Sequence, residues 1–528
     1  MDKEILSVIR EKGILLDKNV LEILNSFENP KEAATFLESV EKNTGQKVIT
    51  RNVLLNNVQF VKSFVNKLPG EEKEVVENVF VRLGISLEII KEKELIDRKK
   101  EDYQEKKRQG LGYKLFYAET KPDKKLEVSD FVGNFKSRYQ ELQRILMEHA
   151  TLQNNLMSIG KISGERSNVN VIGIVSEKRI TKNKNIIFKL EDMTGSVNVL
   201  VRHDKEEVFK KAGEVLLDDV IGIVGSGNRD MIFVNDIEFP DCINHDKVYL
   251  DEDAWVVFLS DVHCGSDRHL GKSFNNFLNW LETDKELAPK IKYMFFTGDN
   301  VDGVGIFPGQ ENVLKLKSMS EQYDLLGSYL ERVPKHITMF LCPGQHDATR
   351  VAEPQPIVSR KYASKLYDID NLVLVTNPCM VKLIEGDKEF KVLMYHGASL
   401  HNLINSIPEL REAKAHLCPA KSVKHVLKRR HLAPIHSEMV YIPNVDKDPL
   451  VISEVPDILC TGEMHRTDID SYNGVLIVVG SCWQAKTDFE EKVGNVPDPA
   501  KVPLVNLKTR EIKILDFGVP GEFENEVK

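Results

Sequence analysis

Five short apolar runs in the second half of the chain each end at a polar cluster with glycine close by. This repetition constrains the fold more than any other feature. Trp255–Leu259 leads into Asp261-Val262-His263, and Tyr293–Phe296 leads into Gly298-Asp299-Asn300-Val301-Asp302. The run at 337–341 leads into Gly344-Gln345-His346-Asp347, the run at 391–395 into His396-Gly397, and Ile458–Cys460 into Gly462-Glu463-Met464-His465. Short apolar runs bounded by turn residues read as buried strands. A further run at 475–479 and a helical stretch from Phe274 to Leu281 complete an alternation of strand, loop and helix from about residue 250, the pattern of an α/β layered domain. Sites in such sheets lie outside the carboxyl ends of the strands, so the five loops are expected to converge.

The residue types at those ends are metal ligands. One Asp-x-His triplet arises by chance in many chains, and one Gly-Asp or His-Gly after a strand is usually a turn or a satisfied histidine. Five in series are hard to attribute to coincidence. Together they offer seven ligands: Asp261, His263, Asp299, Gln345, His396, Glu463 and His465. One metal takes about four, so seven suit two metals sharing a carboxylate. Mixed imidazole and carboxylate ligands fit Mn, Fe, Zn or Co better than calcium. A metal pair about 3.5–4 Å apart is the clamp used to attack phosphate esters.

The chain has 528 residues, enough for several domains. Residues 1–95 read as a helical module: Val20, Ile23, Leu24, then Ala33, Phe36, Leu37 and Val40 recur at three-to-four spacing, with another helical stretch from Val75 to Leu83. No ligand cluster marks it, so a docking role is expected there. Residues 96–130 are dense in charge and read as a linker. Phe131, Phe135, Tyr139, Leu142 and Leu146 mark an amphipathic helix opening a region that runs to 247. Apolar stretches at 169–175, 186–190, 197–201, 220–224 and 231–234 then read as strands, with a glycine hairpin at Gly195 and a helix at 206–212. Three strands, a helix and two strands resemble the OB-fold. OB barrels often stack bases on aromatics; here the faces are aliphatic with Phe188 nearly alone, so structural docking competes on equal terms.

Net charge is −9, so any nucleic-acid surface has to be a local patch. The basic stretch containing Lys421, Lys424, Lys428, Arg429 and Arg430 is the candidate, with Lys428, Arg429 and Arg430 as its backbone-tracking centre and a solvated helix face as the alternative. The seven cysteines form no CxxC pair, which favours a reduced, intracellular protein. No apolar run approaches the roughly 18 residues of a membrane span, and no signal peptide is expected.

The motif order DxH, GDxxD, GNHD, H and GHxH resembles that of the calcineurin-like metallophosphoesterases, from about Asp253 to about Leu515. The resemblance implies that Asp261, His263, Asp299 and His465 hold one metal, and that Asp299, Gln345, His396 and Glu463 hold the other. It implies that His346 is the catalytic histidine, contacting the phosphate and helping the leaving oxygen depart, with Asp347 orienting its ring. Asp302 is expected to fix the Asp299 loop. Two positions depart from the pattern: Gln345 stands where the family has Asn, and Glu463 replaces the first His of GHxH. Both fall on the second metal.

A phosphoesterase preceded by an OB-fold and a helical module is similar to the small-subunit family of archaeal family-D DNA polymerases. The stretches 302–310, 346–356 and 427–434 add to that similarity. It implies a phosphoesterase domain at 248–528 and a 3′–5′ exonuclease acting on DNA, preferring single strands and mispaired 3′ ends. Mn is the expected metal, with Mg, Zn or Fe as alternatives. A large partner subunit would carry the polymerase active site in the cytoplasm, at the nucleoid. The competing readings are a non-catalytic scaffold subunit with a weakened metal site and, behind it, a generic phosphodiesterase or phosphatase.

Overall fold

The structure is a computed structural model describing residues 9, 12–27, 29–50, 53–54, 57–65, 76, 111–120, 125–242, 247–493 and 495–522. The expected helix from Val75 to Leu83, apart from Val76, and the charged stretch from 96 to 110 lie outside the described residues. The chain divides into two compact units, Met1–Lys107 and Arg108–Lys528.

In the first unit, helix Lys18–Leu24 starts at Asp17, whose carboxylate accepts the Val20 N–H at 2.8 Å. Helix Pro30–Thr44 has Asn29 as N-cap, Pro at its first position and Gly45 at φ 66° as C-cap, the arrangement these residue types favour. Helix Val58–Val65 follows. Val20, Ile23, Leu24, Ala33, Phe36, Leu37 and Val40 pack into one core. Strands β1 (Leu15–Leu16) and β2 (Val48–Ile49) pair in parallel beside it.

The second unit contains a closed barrel and a pair of facing sheets. The barrel strands are β4 (Arg166–Ile180), β5 (Ile186–Asp192), β6 (Gly195–Val201), β7 (Val220–Gly227) and β8 (Met231–Glu238). They close in the order β4-β5-β6-β8-β7, and β6 and β8 are the parallel pair. Helix Glu206–Glu214 lies between β6 and β7 in the chain. Alternate residues, among them Val169, Val171, Phe188, Leu190, Val199 and Ile223, fill the interior. The amphipathic stretch at 131–146 is helix Val128–Leu146, whose Tyr139 and Leu142 pack with Ile172 and Val220 of the barrel.

The first sheet runs β12 (Leu372–Leu374), β11 (Thr338–Cys342), β10 (Ile291–Thr297), β9 (Trp255–Leu259), β18 (Lys501–Asn506), β19 (Ile512–Asp516). Its first four strands are parallel. The second runs β16 (Asp468–Tyr472), β17 (Val475–Val479), β15 (Ile458–Thr461), β14 (Lys388–Met394), β13 (Cys379–Glu385), β3 (Gly112–Tyr117). Each central strand is apolar on both faces, as parallel strands buried on both sides must be. Val256, Phe258, Phe295 and Phe340 meet Val392, Met394, Ile458 and Cys460 between the sheets. Val257, Leu259, Phe296 and Leu341 point the other way, onto helices Gly271–Thr283 and Met319–Leu330. Leu459, Ile477 and Val479 face helices Leu400–Ser406 and Ala420–Arg429. The layers are therefore helix, sheet, sheet, helix.

The place where the loops converge is fixed here, and one expectation changes. The five ligand-bearing strand ends belong to two sheets, three to the first and two to the second, so the loops meet across the top of a sandwich. The linker ends earlier than residue 130: Gly112–Tyr117 is an edge strand, antiparallel to β13, with Tyr113, Leu115 and Tyr117 turned into the inter-sheet core.

Candidate metal centre

Backbone hydrogen bonds tie the ligand loops together before any side chain is considered. Asp261 N–H donates to Gly298 O and His263 N–H to Asp299 O, both at 3.0 Å, joining the loops after β9 and β10. Gly462 N–H donates to His396 O at 2.7 Å, joining the loops after β15 and β14. Glu463 N–H reaches the Asp261 carboxylate at 3.1 Å and links one sheet to the other. The loops are so tight that Asp261, His263, Asp299, Glu463 and His465 all take left-handed φ values between 47° and 67°. Such backbone costs on the order of 1–3 kcal/mol per residue and persists where the surroundings over-determine it, characteristically at functional sites. Gly344 has no alternative: a Cβ there would overlap Asp299 Oδ1 and approach His396 Nε2 to 2.8 Å.

Three triads of ligand atoms result, Asp261–His263–His465, Asp261–Asp299–His396 and His263–Asp302–His346, each with its atoms within 4.8 Å of one another. His263 Nδ1 contacts Asp302 Oδ1 at 3.1 Å, and His465 Nδ1 contacts Glu490 Oε1 at 2.9 Å. With each Nδ1–H given to a carboxylate, the two Nε2 atoms face one another at 3.2 Å. A proton or a cation has to lie between them. His396 gives Nδ1 to Thr297 O at 2.8 Å. Its Nε2 is fully buried without a hydrogen-bond partner, although Glu463 Oε2 and Asp299 Oδ2 lie 3.0 and 3.3 Å away. The same excess of negative charge governs basicity. Burial disfavours a charged His465, yet Glu490 and Asp261 outweigh it and hold the ring at about 9. Burial likewise opposes charge on His396, and Asp299 and Glu463 lift it well above the ordinary histidine value. Asp299, despite its burial, is held far below the usual carboxylate range by His396 and His346.

The family model for the B-subunit of DNA polymerases alpha and epsilon matches residues 256–469. The DNA polymerase II small subunit of Pyrococcus furiosus is 37% identical over 402 residues, which is 74% of this chain and 64% of that protein. That of Archaeoglobus fulgidus is 37% identical over 397 residues, 74% of this chain and 78% of the relative. For Methanothermobacter thermautotrophicus the figures are 33% over 397 residues, 74% and 80%. The chain belongs to the DNA polymerase II small-subunit family. Against the longer Pyrococcus member the match spans less than two thirds of that protein's length. All seven ligand candidates of this small-subunit chain fall inside 256–469, whereas Glu490, the partner of His465, lies beyond it.

The donor set fits divalent metals. The orphaned His396 Nε2 points among carboxylate oxygens at angles that suit no N–H···O bond, which a shared cation resolves. Imidazole with carboxylate is a Mn, Fe or Zn environment. Gln345 is half-buried in the same loop, between Gly344 and a His346 N–H that donates to Asp299 Oδ1 at 2.9 Å.

Two expected roles are corrected, those of Asp347 and of the basic run at 428–430. Asp347 does not orient His346: its carboxylate accepts from Tyr323 Oη at 2.8 Å, Gly344 N–H at 2.8 Å and Asn300 Nδ2 at 3.0 Å, and so holds the loops themselves. The His346 ring is set by Asp302 O, 2.6 Å from its Nδ1. Asp302 orients His263, and Gln310 and Gln484 brace Asp302 at 3.2 and 3.0 Å. Lys428, Arg429 and Arg430 form no exposed patch. Arg429 is 2% exposed and paired with Asp219 of the barrel at 3.0 Å; Arg430 is 5% exposed and donates to Ile452 O and Ser453 O. Lys428 reaches Glu214 at 2.6 Å. Lys428 and Arg429 fasten helix Ala420–Arg429 to Glu214 and Asp219, between β6 and β7 of the barrel, and Arg430 ties the end of the helix to the segment at 452–453.

Glu490 escapes a reading of the sequence. Thr487 and Glu490 exchange hydrogen bonds in the Thr-x-x-Glu manner of a helix start, a legible signal. Nothing local ties that carboxylate to a histidine 25 residues away.

Proposed function

We propose that the chain is the exonuclease subunit of a replicative DNA polymerase. It hydrolyses DNA phosphodiesters in the 3′–5′ direction at a two-metal site and supports a large partner subunit that carries the polymerase active site. The observation that carries this reading is the set of buried imidazole nitrogens aimed at one another and crowded among carboxylates, with His396 Nε2 left without a hydrogen-bond partner. Asp261, His263, Asp299 and His465 would hold one metal, and Asp299, Gln345, His396 and Glu463 the other, with Mn the favoured ion. Bound there, the metals would supply Lewis acidity toward the phosphate and a water of lowered pKa. His346, anchored at Nδ1 by Asp302 O, keeps Nε2, 3.9 Å from Asp299 Oδ2, to hold a proton for the leaving oxygen. The substrate is DNA, preferentially single strands and mispaired 3′ ends, at the nucleoid.

The strand order of the barrel, with its parallel β6–β8 pair, supports an OB-type domain over 131–247. The facing sheets support a phosphoesterase domain over 248–528 that borrows β3 from the preceding segment. Residues 1–95 then form a separate docking module.

The test is Mn-dependent degradation of 3′-labelled single-stranded DNA. His346→Ala should lose about 10²- to 10⁴-fold in rate while binding as much Mn as wild type. If wild type and variant both fail to degrade DNA, the scaffold reading holds instead.

A further inference from the structure

The second half of the centre sets the carboxylates of Asp299 and Glu463 against one assigned imidazole, His396. A second imidazole approaches from outside the assigned set. His401 Nε2 lies 3.8 Å from Glu463 Oε1, while Glu463 Oε2 lies 3.0 Å from His396 Nε2. Glu463 thus sits between two histidines.

The backbone fixes this placement. Gly397 has φ 121°, and a Cβ there would meet Leu400 Cδ1 at 3.0 Å and Glu463 Cβ at 3.3 Å. Leu400 N–H donates to Gly397 O at 2.9 Å, starting helix Leu400–Ser406. The loop after β14 is held to the loop after β15 by the Gly462–His396 hydrogen bond. A helix beginning four residues past His396 therefore carries His401 over Glu463. The His401 side chain is 48% exposed, against 16% for Glu463 and 0% for His396. It stands at the rim of the centre. Ligand atoms about 2.0–2.2 Å from one metal lie up to twice that distance from each other, so the observed 3.8 Å is compatible with shared ligation.

We propose that His401 supplies a further nitrogen ligand to the metal held by Glu463, so that the imidazole absent at position 463 is provided by the neighbouring helix. The inference rests on the two-metal reading. It is tested on the full-length chain, stripped with chelator and titrated with Co²⁺, following heat and visible absorption together. The proteins are wild type, His401→Ala, Glu463→His and the double variant. Wild type should bind two Co²⁺. His401→Ala should keep one site and weaken the other by at least about tenfold, the scale of loss when metal-site support is removed, with altered absorption. Adding Glu463→His should restore the weakened site. A His401→Ala titration that superimposes on a two-site wild type overturns this inference alone, as does a loss that Glu463→His leaves uncorrected. A wild type that binds no Co²⁺ overturns the two-metal reading and this inference with it.

Discussion

The molecule buries charge at several points, and two of the clusters are opposites. Around Asp448 every donor has an acceptor. Its Oδ2 accepts from Asn134 Nδ2, Arg138 Nε and His431 Nε2 at 3.0, 2.8 and 3.1 Å, and its Oδ1 accepts from Leu450 N–H. Arg138 also donates to Pro434 O, and His431 Nδ1 accepts the Ala433 N–H at 3.1 Å. Around Asp299 and Asp261, backbone N–H groups of His346 and Glu463 reach the carboxylates, but the ligand side chains do not satisfy one another, and His396 Nε2 has no hydrogen-bond partner. Burial and composition are similar, so the difference lies in whether the protein's own protons suffice. A cluster that satisfies itself is a brace, here between helix Val128–Leu146 and the loop at 431–450. A cluster left short of positive charge is a site.

The largest test of that contrast is Asp448→Ala. It strands Arg138 and His431 in the interior and should cost about 3–5 kcal/mol, read from urea unfolding. Asp299→Ala, measured in chelator, should cost clearly less, because His396 and His346 are able to give up their protons while Arg138 is not. Equal losses would erase the distinction between brace and site. The next effect is smaller and has the opposite sense. Mn at a hundredfold excess over its Kd should stabilise wild type by about 2.7 kcal/mol per site, and Asp299→Ala should forfeit most of that gain. A thermal shift of equal size in both proteins would place the bound Mn elsewhere.

What is legible in the sequence follows the same line. Each ligand motif is local, a strand end with its glycine, so all seven candidates can be named; side-chain proximity joins six of them, while Gln345 is placed by its loop alone. Strands β9 and β17 have the bounds that their apolar runs indicate. An apolar run does not say which sheet it joins, and the division of five strands between two sheets is invisible in it. Edge strand β3 hides in a charged stretch because only Tyr113, Leu115 and Tyr117 alternate there. The basic run at 428–430 is misleading outright. Arg429 and Arg430 look like a solvent-facing basic run until Asp219, 210 residues before Arg429, is brought against it. Satisfaction of a buried charge is a long-range property, and no window of sequence contains both partners.

The smallest predicted effect separates the clusters by pH. His431 is buried in its neutral form: Nε2–H donates to Asp448 and Nδ1 already accepts from Ala433, so a second proton would set donor against donor. Burial, with Arg138 close by, pushes this histidine below its ordinary value, and Asp448 and Asp218 only partly oppose the shift. In the unfolded chain the same ring takes up its proton near pH ~6.5. The unfolded state therefore binds more protons as pH falls below that point, and stability is full above it and lost beneath it. The loss should approach about 1.4 kcal/mol per pH unit between roughly pH 6 and the folded value. Asp448 acts in the same direction at lower pH, since Arg138 and His431 hold it far below the usual carboxylate range despite its burial; its share of stability is present above about pH 4 and lost below. Denaturant midpoints between about pH 7 and 5, measured in chelator, should decline in wild type and decline less steeply in His431→Gln, where His269 and His425, which burial also holds below the ordinary histidine value, keep a residual slope. If the decline is equally steep in the variant, the brace's neutral histidine is not what links helix Val128–Leu146 to pH.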